Sequence, residues 1–135
     1  MSPRHRGRML ALQYLYSWVF NPLSLKEIPS YMLYSNDGKE NLSYYFALML
    51  FNGVIENIQL LDQEISPLLN NWTIDRIDKV DLCILRIAAY ELLFQKDTPS
   101  AVVINEAVLL AKSFSQDQSY KFINGVLEKI GKKVV

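Results

Sequence analysis

Apolar residues recur every three to four positions along almost the whole chain, and no run alternates with period two for long enough to make a strand. That one feature predicts an all-α fold, because 3.6 residues per turn gather such positions on one face, whereas a strand would divide them between two. Between Arg4 and Phe20, one stripe holds Met9, Leu12, Tyr16 and Val19 and the next holds Ala11, Leu15 and Trp18. Asn21-Pro22 ends that segment, since the residue before a proline is pushed out of helical conformation. Ser24 and Glu27 have capping-box spacing for a short helix limited by Pro29. A long amphipathic helix is expected from Asn41 or Ser43, with Phe46, Leu50, Val54, Ile58, Leu61 and Ile65 on one side. Ser66-Pro67 predicts a kink or fresh start before Trp72.

Thr73 is placed to cap the next element, which carries Ile77, Val80, Ile84, Ile87 and Leu92 and is apolar on several sides, as a central buried helix must be. Asp97-Thr98-Pro99-Ser100 reads as a turn. Val103, Ala107, Leu110, Ala111 and Phe114 mark another helix, which Ser115-Gln116-Asp117 interrupts. A last helix, capped by Asp117 or Ser119, buries Phe122 or Ile123 with Val126, Leu127 and Ile130 and ends near Gly131. The expectation is a single domain over 1–135, a helical bundle of about six or seven helices.

At 135 residues, half of them hydrophobic, the chain can bury a core without a disulfide or a metal. The single Cys83 reads as a small buried hydrophobe, and a chain without disulfides suits a reducing compartment. No apolar stretch reaches membrane length, and the run Ile84 to Tyr90 is broken by Arg86. The basic start lacks a separate apolar region ending in small residues, so the expected setting is cytoplasmic. Chemistry is poorly represented. The only histidine, His5, has no neighbouring nucleophile, the five glycines are isolated, and no Cys/His spacing suits a metal. These residues predict a protein that is not an enzyme and needs no cofactor or metal.

Formal charge is zero, yet it is unevenly distributed. Residues 1–26 carry Arg4, Arg6, Arg8 and Lys26 with no carboxylate, a net of +4; residues 40–91 set three cations against eight carboxylates, a net of −5; residues 112–135 return to +3. Such segregation suits two surfaces, one for phosphates and one for a cationic partner.

Three stretches share a pattern with a known family. They are the arginine-rich start running into Gln13-Tyr14-Leu15-Tyr16-Ser17-Trp18, the central Asp81-Leu82-Cys83-Ile84-Leu85-Arg86-Ile87-Ala88-Ala89-Tyr90-Glu91-Leu92, and the final third. That third holds Pro99, Ile104-Asn105-Glu106-Ala107-Val108, Ala111-Lys112-Ser113-Phe114 and Lys121-Phe122-Ile123-Asn124-Gly125-Val126-Leu127-Glu128. With Tyr45-Phe46, Gly53-Val54, Leu61-Asp62 and Trp72 between them, the chain resembles the NusB family of transcription antitermination factors over nearly its whole length. The resemblance implies a helical domain that pairs with the small-subunit ribosomal protein NusE and grips single-stranded boxA RNA of ribosomal leader transcripts. Through the RNA polymerase antitermination complex it would suppress termination, with a further role in ribosomal RNA maturation. Two other readings stay open: a detached helical accessory domain of an rRNA cytosine methyltransferase, and a helical protein–protein adaptor. Homodimerisation of the free chain also stays open.

For RNA, the resemblance implies Arg4, His5, Arg6 and Arg8 in a basic arm over residues 1–8, expected to be flexible because it lacks carboxylates and holds Gly7. Guanidinium groups suit phosphates because they stay charged and offer forked donors. Tyr16 fits equally a base-stacking ring or a core ring with its hydroxyl at the surface. Lys112, Lys121, Phe122 and Asn124 complete the implied RNA set, and the spacing of Phe122 and Val126 also suits core. Gln118 stands where the family commonly has an acid. For the protein partner the implied residues are Asp75, Asp78, Asp81 and Glu91, Asp81 foremost. Arg86 and Glu91 also read as an ion pair inside the bundle.

Overall fold

In a computed structural model of the protein, residues 2–22 and 38–134 are described. Six α-helices follow in order: α1 (Pro3–Phe20), α2 (Gly38–Glu56), α3 (Ile58–Ile65), α4 (Lys79–Phe94), α5 (Ser100–Phe114) and α6 (Ser119–Lys133), with one 3-10 turn at Ser66–Leu68. Among the described residues there is no strand, so the fold is the expected all-α bundle. The short helix expected at Ser24 lies outside them. No helix among them is long and apolar enough to cross a membrane.

The bundle is built around α4, as its all-round apolar character predicts. Eleven of its sixteen residues are buried, and it packs against α1, α2, α3, α5 and α6. Its neighbours supply single faces: Ala11, Leu12 and Leu15 from α1, Leu50, Phe51 and Val54 from α2, Leu61 and Ile65 from α3, Val103, Ala107 and Leu110 from α5, and Ile123, Leu127 and Ile130 from α6.

Boundaries differ from the sequence reading in four places, each for a local reason. Residues 3–8 are not a separate arm but the first turns of α1, because the Ser2 hydroxyl accepts the His5 N–H at 3.1 Å and Pro3 starts the helix with its φ already set. The long middle helix breaks at Asn57, whose side-chain amide donates to the Gly53 carbonyl at 2.8 Å, so α2 and α3 are separate elements. The break expected at Ser66-Pro67 is present, as a 3-10 turn, and Asn70 then takes a left-handed φ of 59°. Asp78, not Thr73, caps α4, accepting the Val80 N–H, while Gln118 occupies the N-cap of α6 without a side-chain bond. Ser119 does not cap α6 with its hydroxyl, which is used elsewhere.

Candidate nucleic-acid interface

Residues four and seven apart share a helix face, and α1 therefore divides its basic residues between two faces. Arg8 lies on the face of Leu12 and Leu15 and points inward. Only 3% exposed, it donates from Nε and Nη2 to the two carboxylate oxygens of Glu91 on α4 at 2.9 and 2.8 Å. Its guanidinium also stands 5.1 Å from the Phe46 ring centroid and 3.9 Å from Glu106 on α5. Arg8 and the equally buried Glu91, expected at the RNA and partner surfaces, are thus turned inward and bound to each other rather than presented at the surface; the fork–fork pair ties α1 to α4. Gly7 serves the same packing. A Cβ there would stand 2.9 Å from both the Ser43 carbonyl oxygen and Phe46 Cδ2, so the glycine allows close helix approach rather than flexibility.

His5 is held in place by α5, its Nδ1 lying 2.6 Å from Glu106. Arg4 donates to the Thr98 hydroxyl at 3.2 Å and stands 3.8 Å from Asp97, with an exposed side chain. Both pin the start of α1 to the α4–α5 turn and to α5, so the first eight residues act partly as architecture.

Arg6 occupies the other face, with Met9, Gln13 and Tyr16 at successive turns. These residues line a groove of about 610 Å³, closed by Val80 of α4 and Phe114 at the end of α5. Tyr16 is 41% exposed and meets Phe20 edge to face, with ring centroids 5.0 Å apart. It is therefore a surface ring, not core. A second cationic and aromatic group lies where α5 packs on α6: Lys112 Nζ stands 4.7 Å from the Tyr120 ring centroid and Lys121 Nζ 6.0 Å from it. Val108 and Asn124 complete the lining of this cavity, about 310 Å³ in volume. Lys112 and Phe114 are two residues apart on α5 and so face nearly opposite ways, which sets the two groups on either flank of that helix end, separated by about one helix diameter, roughly 10 Å.

Phe122 joins neither group. Half-buried against the core, it lines a third cavity with Trp72, Arg76, Asp78, Asp81 and Gln118. Asp81 in turn is 7% exposed, and both its oxygens are taken: Ser115 Oγ and Ser119 Oγ donate to it, the latter at 3.0 Å. Burial pushes its carboxyl above the usual range, against the lowering effect of the two hydroxyls. Asp81 is accordingly a clamp on the α5–α6 turn rather than an open partner contact. Asp78 is spent on capping α4. Of the four carboxylates read for a partner, only Asp75 is openly exposed, its pKa lowered chiefly by the Thr73 hydroxyl. Arg86 pairs with Asp62 of α3 through two bonds of 2.9 Å, not with Glu91. Residues five apart on a helix point some 140° away from each other, so that expected pair was geometrically excluded.

The sequence reading gave no side-chain partner to Glu106 or Ser115, gave Ser119 only a capping role, and did not single out Tyr120. Only Tyr120 had a visible signal, an aromatic directly beside a lysine.

The assembly is an all-helical bundle whose surface carries lysines beside the half-buried Tyr120 and a groove shared by Arg6 and the exposed Tyr16, while the acids Asp62, Asp81, Glu91 and Glu106 are engaged by other side chains of the bundle. The NusB family model matches residues 5–132, and the chain belongs to the NusB family. It is 44% identical to a transcription antitermination protein NusB of Treponema denticola over 131 residues, 96% of each chain. Among solved structures it is similar to T. maritima NusB, with a TM-score of 0.80 and 34% identity, covering 98% of this chain and 94% of that one. It is also similar to a chain in a crystal structure of the antitermination factors NusB and NusE in complex with dsRNA, with a TM-score of 0.77 and 28% identity over 97% of both.

Proposed function

We propose that this chain is an RNA-binding transcription antitermination factor that pairs with NusE and holds boxA RNA of ribosomal leader transcripts. It works in the cytoplasm as part of a complex on RNA polymerase, by binding and not by catalysis. The observation that carries this reading is the placing of cations near aromatic rings on both flanks of the end of α5: Arg6 lines one groove with the exposed Tyr16, and Lys112 and Lys121 stand beside the half-buried Tyr120. Phosphates recruit the cations, and unpaired bases lie on rings, so the combination suits a single strand better than a protein surface. Membership of the NusB family and likeness to a chain solved with NusE and RNA support the same reading.

The test is a fluorescence titration of leader RNA carrying boxA, against scrambled RNA, with and without NusE at fixed salt. NusE should raise affinity for boxA selectively. Arg6→Ala should weaken binding and reduce the slope of log K against log salt by about 0.7, the increment for one phosphate contact on a single strand. Equal affinity for boxA and scrambled RNA in the presence of NusE would overturn the reading.

A further inference from the structure

α1 packs broadly on α2 and α4 but meets α5 over little of its length, and the groove that holds Arg6 and Tyr16 is lined by α1 and by Phe114 of α5. The spacing of those two helices therefore depends on long side chains that span the gap. Glu106 of α5 reaches α1 at two points: one carboxylate oxygen lies 2.6 Å from His5 Nδ1 and the other 3.9 Å from Arg8 Nη1. All three side chains are largely shielded from water. We propose that Glu106 is a positioning residue for RNA binding: by bridging His5 and Arg8 it fixes the start of α1 against α5 and so sets Arg6 in place before RNA arrives. The proposal deepens the RNA-binding reading above and rests on it.

Arg6 stands between His5 and Arg8 on the same two turns, so whatever fixes those two fixes its backbone, while its own side chain turns to the groove. A helix start frays readily, because its first N–H groups lack intrahelical partners. Without the bridge, RNA would have to order these turns as it bound, at the expense of affinity. The neighbouring contacts do not replace it. Arg4 reaches Thr98 and Asp97 in the turn before α5, but that ion pair is exposed and so contributes little. Arg8 keeps its paired bonds to Glu91 of α4 whether or not Glu106 is present, so loss of Glu106 leaves the bundle standing and releases only the tie to α5. Two roles for Glu106 then predict opposite signs. As a mere negative charge beside an RNA groove it repels phosphates, and its removal should tighten binding; as a positioning residue, its removal should weaken binding.

Titration of boxA leader RNA into the complex with NusE reads that sign. Glu106→Ala should weaken binding about 2- to 12-fold, the cost of ordering one long side chain on binding, with an unchanged salt slope because no phosphate contact is lost. His5→Ala should act in the same direction, and the double variant should add little to either single change, since both remove one contact. Glu106→Gln, which keeps the length and an acceptor oxygen, should bind close to wild type. Hydrogen exchange at the Arg6 amide, bonded to the Ser2 carbonyl at 3.0 Å, should quicken in Glu106→Ala by a larger factor than exchange in α4. Wild-type or tighter binding by Glu106→Ala, in a series where Arg6→Ala weakens it, overturns the positioning role and leaves the RNA reading intact. Weakened binding with unchanged exchange at the Arg6 amide also overturns it, since the start of α1 would then be fixed without Glu106. Failure of the wild-type complex to distinguish boxA from scrambled RNA sinks both.

Discussion

Replacing Arg8 by alanine separates architecture from RNA contact more sharply than any other single change. The Arg8 side chain is 3% exposed and that of Glu91 2%, and the two are joined by paired bonds of 2.9 and 2.8 Å. Removing one partner of such a buried pair strands the other charge out of water, which costs about 3–5 kcal/mol. For a domain of this size that corresponds to a fall in Tm of roughly 10–20 °C. Because the Coulombic gain of a buried pair is largely offset by desolvation, Arg8→Met combined with Glu91→Leu should recover most of the loss, leaving a double-mutant coupling of about 2 kcal/mol or more. Urea unfolding followed by circular dichroism gives all four corners of the cycle. A phosphate ligand would behave oppositely: Arg8→Ala would leave stability within about 0.5 kcal/mol, as surface substitutions do, and flatten the salt dependence of RNA binding instead. That outcome would refute the architectural assignment of Arg8.

Gly53→Ala should cost about 1–3 kcal/mol in urea unfolding, because the new Cβ would fall 2.2 Å from Cζ of Tyr90 and must drive that ring aside; on a Tyr90→Ala background the penalty should largely vanish. Asp81 has a raised carboxyl pKa in the fold, so the folded state holds its proton more tightly than the unfolded chain does. Its stabilising contribution is therefore fully present below the ordinary value of 3.8 and is lost as pH rises through the folded value; wild-type stability relative to Asp81→Asn should fall over that interval and level off above it, measured by urea midpoints across pH. Burial pushes the Cys83 thiol up to about 12, so the folded protein should react with a thiol reagent near pH 8 only as fast as it opens, and the rate should rise with denaturant.

Much of the fold was legible because helix formation and burial are read from spacing along one segment at a time. The stripes of α1 and α5, the all-round apolar α4 and the turn before Ser100 follow from periodicity and turn residues alone. The errors arose where two signals competed over a few residues: Asn57 interrupts an unbroken apolar stripe, and Asp78 outcompetes Thr73 as the cap. For the proposed binding surface, the sequence marks basic and aromatic residues without telling which of them face out. Arg6 and Arg8 are two positions apart and look alike as letters, yet they point to opposite sides of α1.

By itself, the sequence determined that this chain is an all-helical NusB-type bundle with α4 at its centre and basic residues at both ends, since periodicity, capping chemistry and local charge are properties of neighbouring residues. Only the tertiary structure decided the partners of the charges: Arg8 to Glu91, Arg86 to Asp62, His5 to Glu106, and Asp81 to Ser115 and Ser119. Those pairings join residues 24 to 101 positions apart for the ion pairs and His5 contact alone. Whether a charge is spent inside the bundle or left for RNA depends on helix packing, because burial strips away water and makes each unpaired charge too costly to leave without a partner.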